Sequence, residues 1–325
     1  MKALITGCAG FAGSHLAEYL LDQSEEVIAL VSPNEDLENI RQIEGHLQIS
    51  RADLRDSDRV LEVVQSSKPQ RIYHLAAVSS PSESLESPDL TYQVNFMGAL
   101  NLLSAWRRVG MDCRFLLVSS SEVYGRVPRE KLPMREEMEL YPINPYAGSK
   151  AAAEILALQF FQSYGLPIVR VRPFNHTGPR QSSNFVCSKF ARQAAEIDLG
   201  LRPPTIVAGN LQAIRDFSDV RDIVRGYRDL LEMGTPGEVF QLCSGHPVSI
   251  ETILQTVISF TSKPVRILVD KALIRNQEAT EVWGDYSKAK LAVGWEPRQE
   301  LTDTLRGLKV YWEVRHGSRT ACERS

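Results

Sequence analysis

The sequence predicts an α/β fold, a doubly wound parallel sheet with a smaller C-terminal lobe. Short apolar runs alternate with amphipathic stretches through the first half, a glycine-rich turn joins the first run to the first helix, and the alternation breaks up after Arg172. Such alternation calls for parallel strands joined by right-handed crossovers. With 325 residues the chain has room for about two structural units at roughly 150 residues each.

Lys2–Thr6 (KALIT) is an apolar run that ends at glycine. Phe11–Leu21 puts Phe11, Leu16, Leu20 and Leu21 on or near one helical face. Glu26–Val31 is the second strand, Leu47–Ser50 a weaker third, Asp56–Gln65 a helix and Arg71–Leu75 the fourth strand. Pro88–Arg108 reads as one long helix, and Arg114–Ser119 as the fifth strand. Tyr146–Tyr164 is helical by propensity and spacing, and Pro167–Arg172 is another strand. Beyond it, loop-like pieces such as FNHTGPRQSSN and CSGHP interrupt helices at Phe185–Leu199 and Ser249–Thr261. No linker separates the halves, so one body with two lobes is expected. Residues 1–172 and 173–325 are their main contributors, with some later segments returning to the sheet. The polar tail Arg315–Ser325 is expected to fray.

Composition narrows the function. The 37 Lys and Arg against 40 Asp and Glu leave a net charge of −3, which offers no basic footprint for nucleic acid. No stretch approaches the roughly 18–20 apolar residues of a membrane span, and the N-terminus lacks a signal-peptide layout. The scattered Cys8, Cys113, Cys187, Cys243 and Cys322 form no CxxC pair. That argues against a structural metal site or a disulfide framework and fits a reducing cytoplasm.

Between the first strand and first helix stands Gly7-Cys8-Ala9-Gly10-Phe11-Ala12-Gly13, a GxxGxxG turn. Glycine permits a tight turn and close approach of a phosphate to main-chain N–H groups, and the helix start adds free donors and a positive dipole end. Here the motif follows a strand and opens a helix, the context that a dinucleotide site requires. The second strand ends Leu30-Val31-Ser32-Pro33-Asn34. Neither the acid that favours a ribose hydroxyl nor the arginine that favours a 2′-phosphate sits at this tip, so NADPH and NADH both stay open. Asp36 comes late and reads as a loop or cap residue. Asp53-Leu54, after the third strand, is placed to hold an adenine ring, with a plain turn as the alternative for Asp53.

Tyr146 and Lys150 stand four apart in YAGSK, on one helix face. A nearby ammonium lowers a phenol's pKa, so the pair suits proton transfer to or from a carbonyl oxygen during hydride transfer. Ser119-Ser120-Ser121-Glu122-Val123-Tyr124-Gly125 follows the fifth strand, at the carboxyl end of the sheet, where such folds bind ligands. A hydroxyl there is placed to polarise the same oxygen.

The glycine turn, His74-Leu75-Ala76-Ala77, SSSEVYG and YAGSK, in this order, resemble the extended short-chain dehydrogenase/reductase family over nearly the whole chain. The resemblance implies a Rossmann-type fold and action on nucleotide-sugars. By motif position it implies Ser120, Tyr146 and Lys150 as the catalytic trio. Around the dinucleotide it implies Gly7, Gly10, Phe11, Ala12, Gly13, Asp53, Leu54, Leu75, Ala76, Ala77, Tyr146, Lys150, Pro173 and His176. RPFNHTGP, Asn184-Phe185-Val186, GNLQAIRDF, DVRD and Cys243-Ser244-Gly245 resemble the GDP-mannose branch of that family. This implies a homodimer through the helices at Pro88–Arg108 and Tyr146–Tyr164, and reduction of the C4 ketone of a GDP-linked 6-deoxy-4-keto-hexose by NADPH or NADH. A 4,6-dehydratase or an epimerase of the branch is the alternative. Arg215 and Arg275, with Lys189 third, are the diphosphate candidates, since guanidinium matches phosphate oxygens bidentately. Ser79, Ser120, Glu122, Asn175, Asn184, Phe185 and Glu278 complete the expected substrate contacts. In a dehydratase, a glutamate at the place of Glu122 would act as base and acid in the elimination.

Overall fold

Strand–helix alternation in the first half builds most of a seven-stranded parallel sheet. The structure, a computed structural model, describes residues 1–274 and 280–322. In order come β1 (Lys2–Thr6), α1 (Phe11–Asp22), β2 (Glu26–Val31), β3 (Leu47–Arg51), α2 (Ser57–Ser67) and β4 (Arg71–His74). They are followed by α3 (Pro81–Glu86), α4 (Pro88–Tyr92), α5 (Gly98–Val109), β5 (Arg114–Val118), α6 (Pro145–Tyr164) and β6 (Ile168–Pro173). The long helix expected at Pro88–Arg108 is interrupted by a π-helical turn, Gln93–Met97, between α4 and α5.

The second half supplies β7 (Asn175–Thr177), α7 (Val186–Asp198), β8 (Thr205–Ala208), β9 (Ile214–Asp219), α8 (Val220–Met233) and β10 (Val239–Leu242). After these come β11 (Pro247–Ser249), α9 (Ile250–Ile258), β12 (Arg266–Val269), β13 (Glu281–Val282), α10 (Ser287–Val293) and α11 (Leu301–Cys322). The tail expected to fray therefore continues a helix as far as Cys322. Arg315 holds it down, ion-paired with Glu38 at 2.5 Å.

The sheet runs β10-β6-β5-β4-β1-β2-β3. Sequence order reverses beside β1, whose neighbours are β2 and β4, so a ligand crevice opens at the carboxyl ends of β1 and β4. One face of the sheet packs on α1 and α8, through residues such as Leu16, Leu20, Val224 and Leu230. The other packs on α2, α5 and α6, with Trp106 and Phe115 stacked 5.8 Å apart. A separate core joins α7, α9 and α11 around Phe190, Leu254 and Trp312. The short strands β7, β11 and β13 all pair with β9. That small sheet sets the C-terminal lobe against the crevice.

Candidate active site

The crevice begins at Gly7, which leaves β1 with φ +68°. Its N–H donates to the Leu30 carbonyl at 3.0 Å, and its own carbonyl accepts from Gly10 N–H at 3.0 Å. A Cβ on Gly13 would lie 2.1 Å from the Gly7 carbonyl oxygen, and one on Gly7 2.9 Å from Ala76 Cα. Glycine is therefore what lets α1 and the strand-four loop close on one turn. The first intrahelical bond of α1 runs from Ser14 N–H to the Gly10 carbonyl. The N–H groups of Phe11, Ala12 and Gly13 lie ahead of it, as an anion-binding helix start requires. Phe11 also stacks on His176, ring centres 5.7 Å apart. His176 Nδ1 donates to the Phe174 carbonyl at 3.0 Å, and burial lowers its pKa.

The loop after β4 carries Leu75, Ala76, Ala77 and the exposed Ser79. The Thr6 hydroxyl accepts from Ala76 N–H at 3.1 Å and bonds His74 Nδ1 at 2.8 Å. Burial, then the charge of Lys150, lowers the His74 pKa to about 3. Asn95, buried within the π-helical turn, accepts from Val78 N–H at 2.8 Å and donates to the Ser149 hydroxyl at 2.9 Å. One amide thus joins this loop to α6. Asp53 makes a turn, accepting from Arg55 N–H at 2.9 Å and pairing with the Arg55 guanidinium at 2.6 Å. Leu54 packs in the core. Asp36 caps the next turn through Glu38 N–H. The exposed Arg51 reaches from the end of β3 to the Ser32 and Pro33 carbonyls, at 3.2 and 2.9 Å.

Ser120, Glu122, Tyr146 and Lys150 converge at the carboxyl end of β5. The Ser120 hydroxyl accepts from Glu122 N–H at 3.1 Å and hydrogen-bonds the Tyr146 phenol. Glu122 is exposed beside them. Lys150 is buried, its Nζ donating to the Val118 carbonyl at 2.8 Å, and desolvation lowers its pKa to about 8 against the opposing pull of Glu154. The expectation that Lys150 depresses the tyrosine pKa does not match this geometry. Burial pushes Tyr146 up to about 12, with the Glu122 charge adding to it and the Ser120 bond opposing it. The ammonium is engaged by a backbone oxygen on β5.

Beneath the trio lies an ion pair. Arg172, on β6, grips Glu154 of α6 through Nε at 2.9 Å and Nη2 at 2.7 Å. Arg172 also donates to the Tyr124 hydroxyl at 2.7 Å and the Glu136 carbonyl at 3.0 Å.

Toward the second lobe, Pro173 is buried at the end of β6, and Asn175 donates to the Asp216 carbonyl at 3.3 Å. The Asp216 carboxylate accepts from Ser244 N–H, Ser244 Oγ and Gly245 N–H at 2.7, 2.6 and 3.0 Å, so it fastens the CSG loop. Asp219 pairs with Arg221. Arg215, just before Asp216 on β9, bonds the Ile214 carbonyl at 2.8 Å. Asn184 and Phe185 are exposed just ahead of α7, and Lys189 opens that helix with its N–H on the Phe185 carbonyl. Arg275 and Glu278 lie outside the described residues.

A family model for GDP-mannose 4,6 dehydratase matches residues 4–308. The chain belongs to the GDP-mannose 4,6-dehydratase family. It is an oxidoreductase of the extended short-chain dehydrogenase/reductase type. It is 33% identical to a GDP-6-deoxy-D-mannose reductase of Pseudomonas aeruginosa over 314 residues, 97% of this chain and 98% of the relative. It is 30% identical to human GDP-mannose 4,6 dehydratase over 335 residues, 94% of this chain and 89% of that one. The solved structure of RMD from Pseudomonas aeruginosa complexed with NADPH superposes with a TM-score of 0.86 at 33% identity, covering 97% of this chain and 99% of that one.

Within this GDP-mannose 4,6-dehydratase family member, motif reading gave no role to Asn95, Glu154, Arg172 or Arg180. Arg180 sits at φ +73°, pairs with Glu18 at 2.6 Å and donates to His15 Nδ1 at 2.8 Å. It ties the loop after β7 to α1. The sequence offers one signal for Glu154: it stands four residues beyond Lys150, on the same helix face.

Proposed function

We propose that this protein reduces the C4 ketone of GDP-4-keto-6-deoxy-D-mannose to GDP-D-rhamnose, with NADPH as reductant. The observation that carries this is end-to-end likeness to a GDP-6-deoxy-D-mannose reductase, 97% of one chain against 98% of the other. The cradle suits a dinucleotide: a glycine turn that tolerates no Cβ, a helix start with free donors, and Phe11 against His176. Exposed Arg51 brings to the end of β2 the cation that the tip lacks, which supports NADPH over NADH.

A bound reduced nicotinamide supplies the hydride. Tyr146 holds the proton that the C4 oxygen needs, and its raised pKa keeps that proton in place at neutral pH. Ser120, already bonded to the phenol, orients the ketone oxygen toward it. Lys150 contributes positive charge beneath the site. Arg215 and Lys189 serve the diphosphate, and Asn184 and Phe185 the sugar or guanine. Holding donor and ketone in near-attack contact supplies much of the rate. A homodimer through α4, α5 and α6 belongs to the same reading, supported by the exposed Leu90, Tyr92, Met97 and Ile155, and light scattering checks it. Cytoplasmic residence fits a protein in which, among the described residues, no helix is long and apolar enough to cross a membrane.

Absorbance at the reduced-cofactor band tests the reading. GDP-4-keto-6-deoxy-D-mannose consumes NADPH mole for mole, faster than NADH, and GDP-mannose consumes none. Formation of the keto-sugar from GDP-mannose without net cofactor loss overturns it. That outcome makes the protein a dehydratase, a second reading favoured by exposed Glu122 at the mouth of the site.

A further inference from the structure

Lys150 lies in a pocket where nearly every neighbour is neutral or positive. On β4, His74 is buried and kept neutral. On β5, the ammonium donates to the Val118 carbonyl. On β6, the buried Arg172 and the half-buried Arg170 lie near Glu154. The turn after β5 contributes the neutral Tyr124 and, at the surface, Glu122. On α6 itself, Tyr146 is a neutral phenol one turn before Lys150. Glu154, one turn after it and 1% exposed, is the buried anion of the set. Both Glu154 oxygens accept from Arg172, at 2.7–3.1 Å.

A buried carboxylate held bidentately by a guanidinium is fixed in place. Its field acts on Lys150 across one helical turn in a low dielectric, where charges are weakly screened. Resting on the ketone-reductase reading of this site, we propose that Glu154 is a positioning residue, clamped by Arg172, that keeps Lys150 an ammonium and so sets the upper pH limit of the reaction. Arg172 has two opposed effects. It fixes Glu154 in place, and its own charge partly cancels the field that Glu154 exerts. The pH response of Lys150 therefore depends on the balance of one buried pair.

The test is the pH profile of kcat/KM for keto-sugar reduction. Glu154→Gln removes a negative charge, so Lys150 sheds its proton more readily and the alkaline limb moves down by about one pH unit. Arg172→Gln removes a positive charge, and the limb moves up. Shifts of opposite sign are not produced by loosened packing. Glu154→Asp, which keeps the charge, restores the limb toward its original position. A lone buried ion left by either single change costs stability. The neutral double variant, Glu154→Gln with Arg172→Gln, is therefore the reference, and either single variant set against it isolates one charge. Limbs that coincide in single and double variants, or singles that shift in the same direction, overturn the inference if Tyr146→Phe abolishes turnover. If Tyr146→Phe leaves turnover intact, the reading of the site itself fails instead.

Discussion

At the scale of single residues, the proposed reduction turns on the proton held by the Tyr146 hydroxyl. Tyr146→Phe removes the proton while keeping the ring, so kcat should fall by about 10³-fold, within the range for a positioned general acid. GDP affinity, read by calorimetry, should stay within about twofold, since no phosphate or base contact is lost. Loss of both together would make the tyrosine a structural residue. The motifs that resemble the family named Ser120, Tyr146 and Lys150 together, and the structure brings the three to the end of β5. The motifs did not reveal the direction of the tyrosine shift. That depends on where one lysine rotamer points, and Lys150 points at the Val118 carbonyl. Nor did they reveal Asn95, whose amide bonds depend on a π-helical turn that leaves no mark in hydrophobic periodicity.

At the scale of elements, the first β–turn–α unit is the part most tightly specified. Gly13→Ala places a methyl 2.1 Å from the Gly7 carbonyl, so α1 must shift away from the turn. Overpacking of this kind costs about 1–3 kcal/mol. The larger effect falls on the dinucleotide. Its affinity should drop by more than tenfold in a fluorescence titration, and an unchanged value would mean that the helix start is not the phosphate site. The strands Lys2–Thr6 and Glu26–Val31 were legible to the residue, because a buried parallel strand is a continuous apolar run bounded by polar or turn residues. The last helix was not legible. Residues 315–322 look polar in isolation, and what holds the segment is long-range, Arg315 reaching Glu38 while its guanidinium lies 5.6 Å from the Trp312 ring centre. The short strands β7, β11 and β13 were equally hidden, since two or three residues carry no period.

At the scale of the whole molecule, the half-buried His15 and the buried His74 should make stability depend on pH. Burial lowers the pKa of His15 to about 4 and that of His74 to about 3, against about 6.5 in an unfolded chain. Between those values the unfolded chain binds protons that the native one refuses, so stability falls as pH drops below about 6.5. Urea midpoints at pH 7, 5.5 and 4.5 should decrease in that order, and His15→Gln should flatten part of the slope. A constant midpoint would refute the coupling. The architecture of the first half was legible as a pattern, whereas the return of the later chain to the sheet was legible only in outline, because partners far apart in sequence leave no local signature. That return has a temporal consequence. Strand β6 ends at Pro173 and its outer neighbour β10 begins at Val239, so some 65 residues emerge from the ribosome between them. At about 5–20 residues per second the nascent protein spends roughly 3–13 s with Val169 and Val171 on an open edge, the interval in which a chaperone would be most needed.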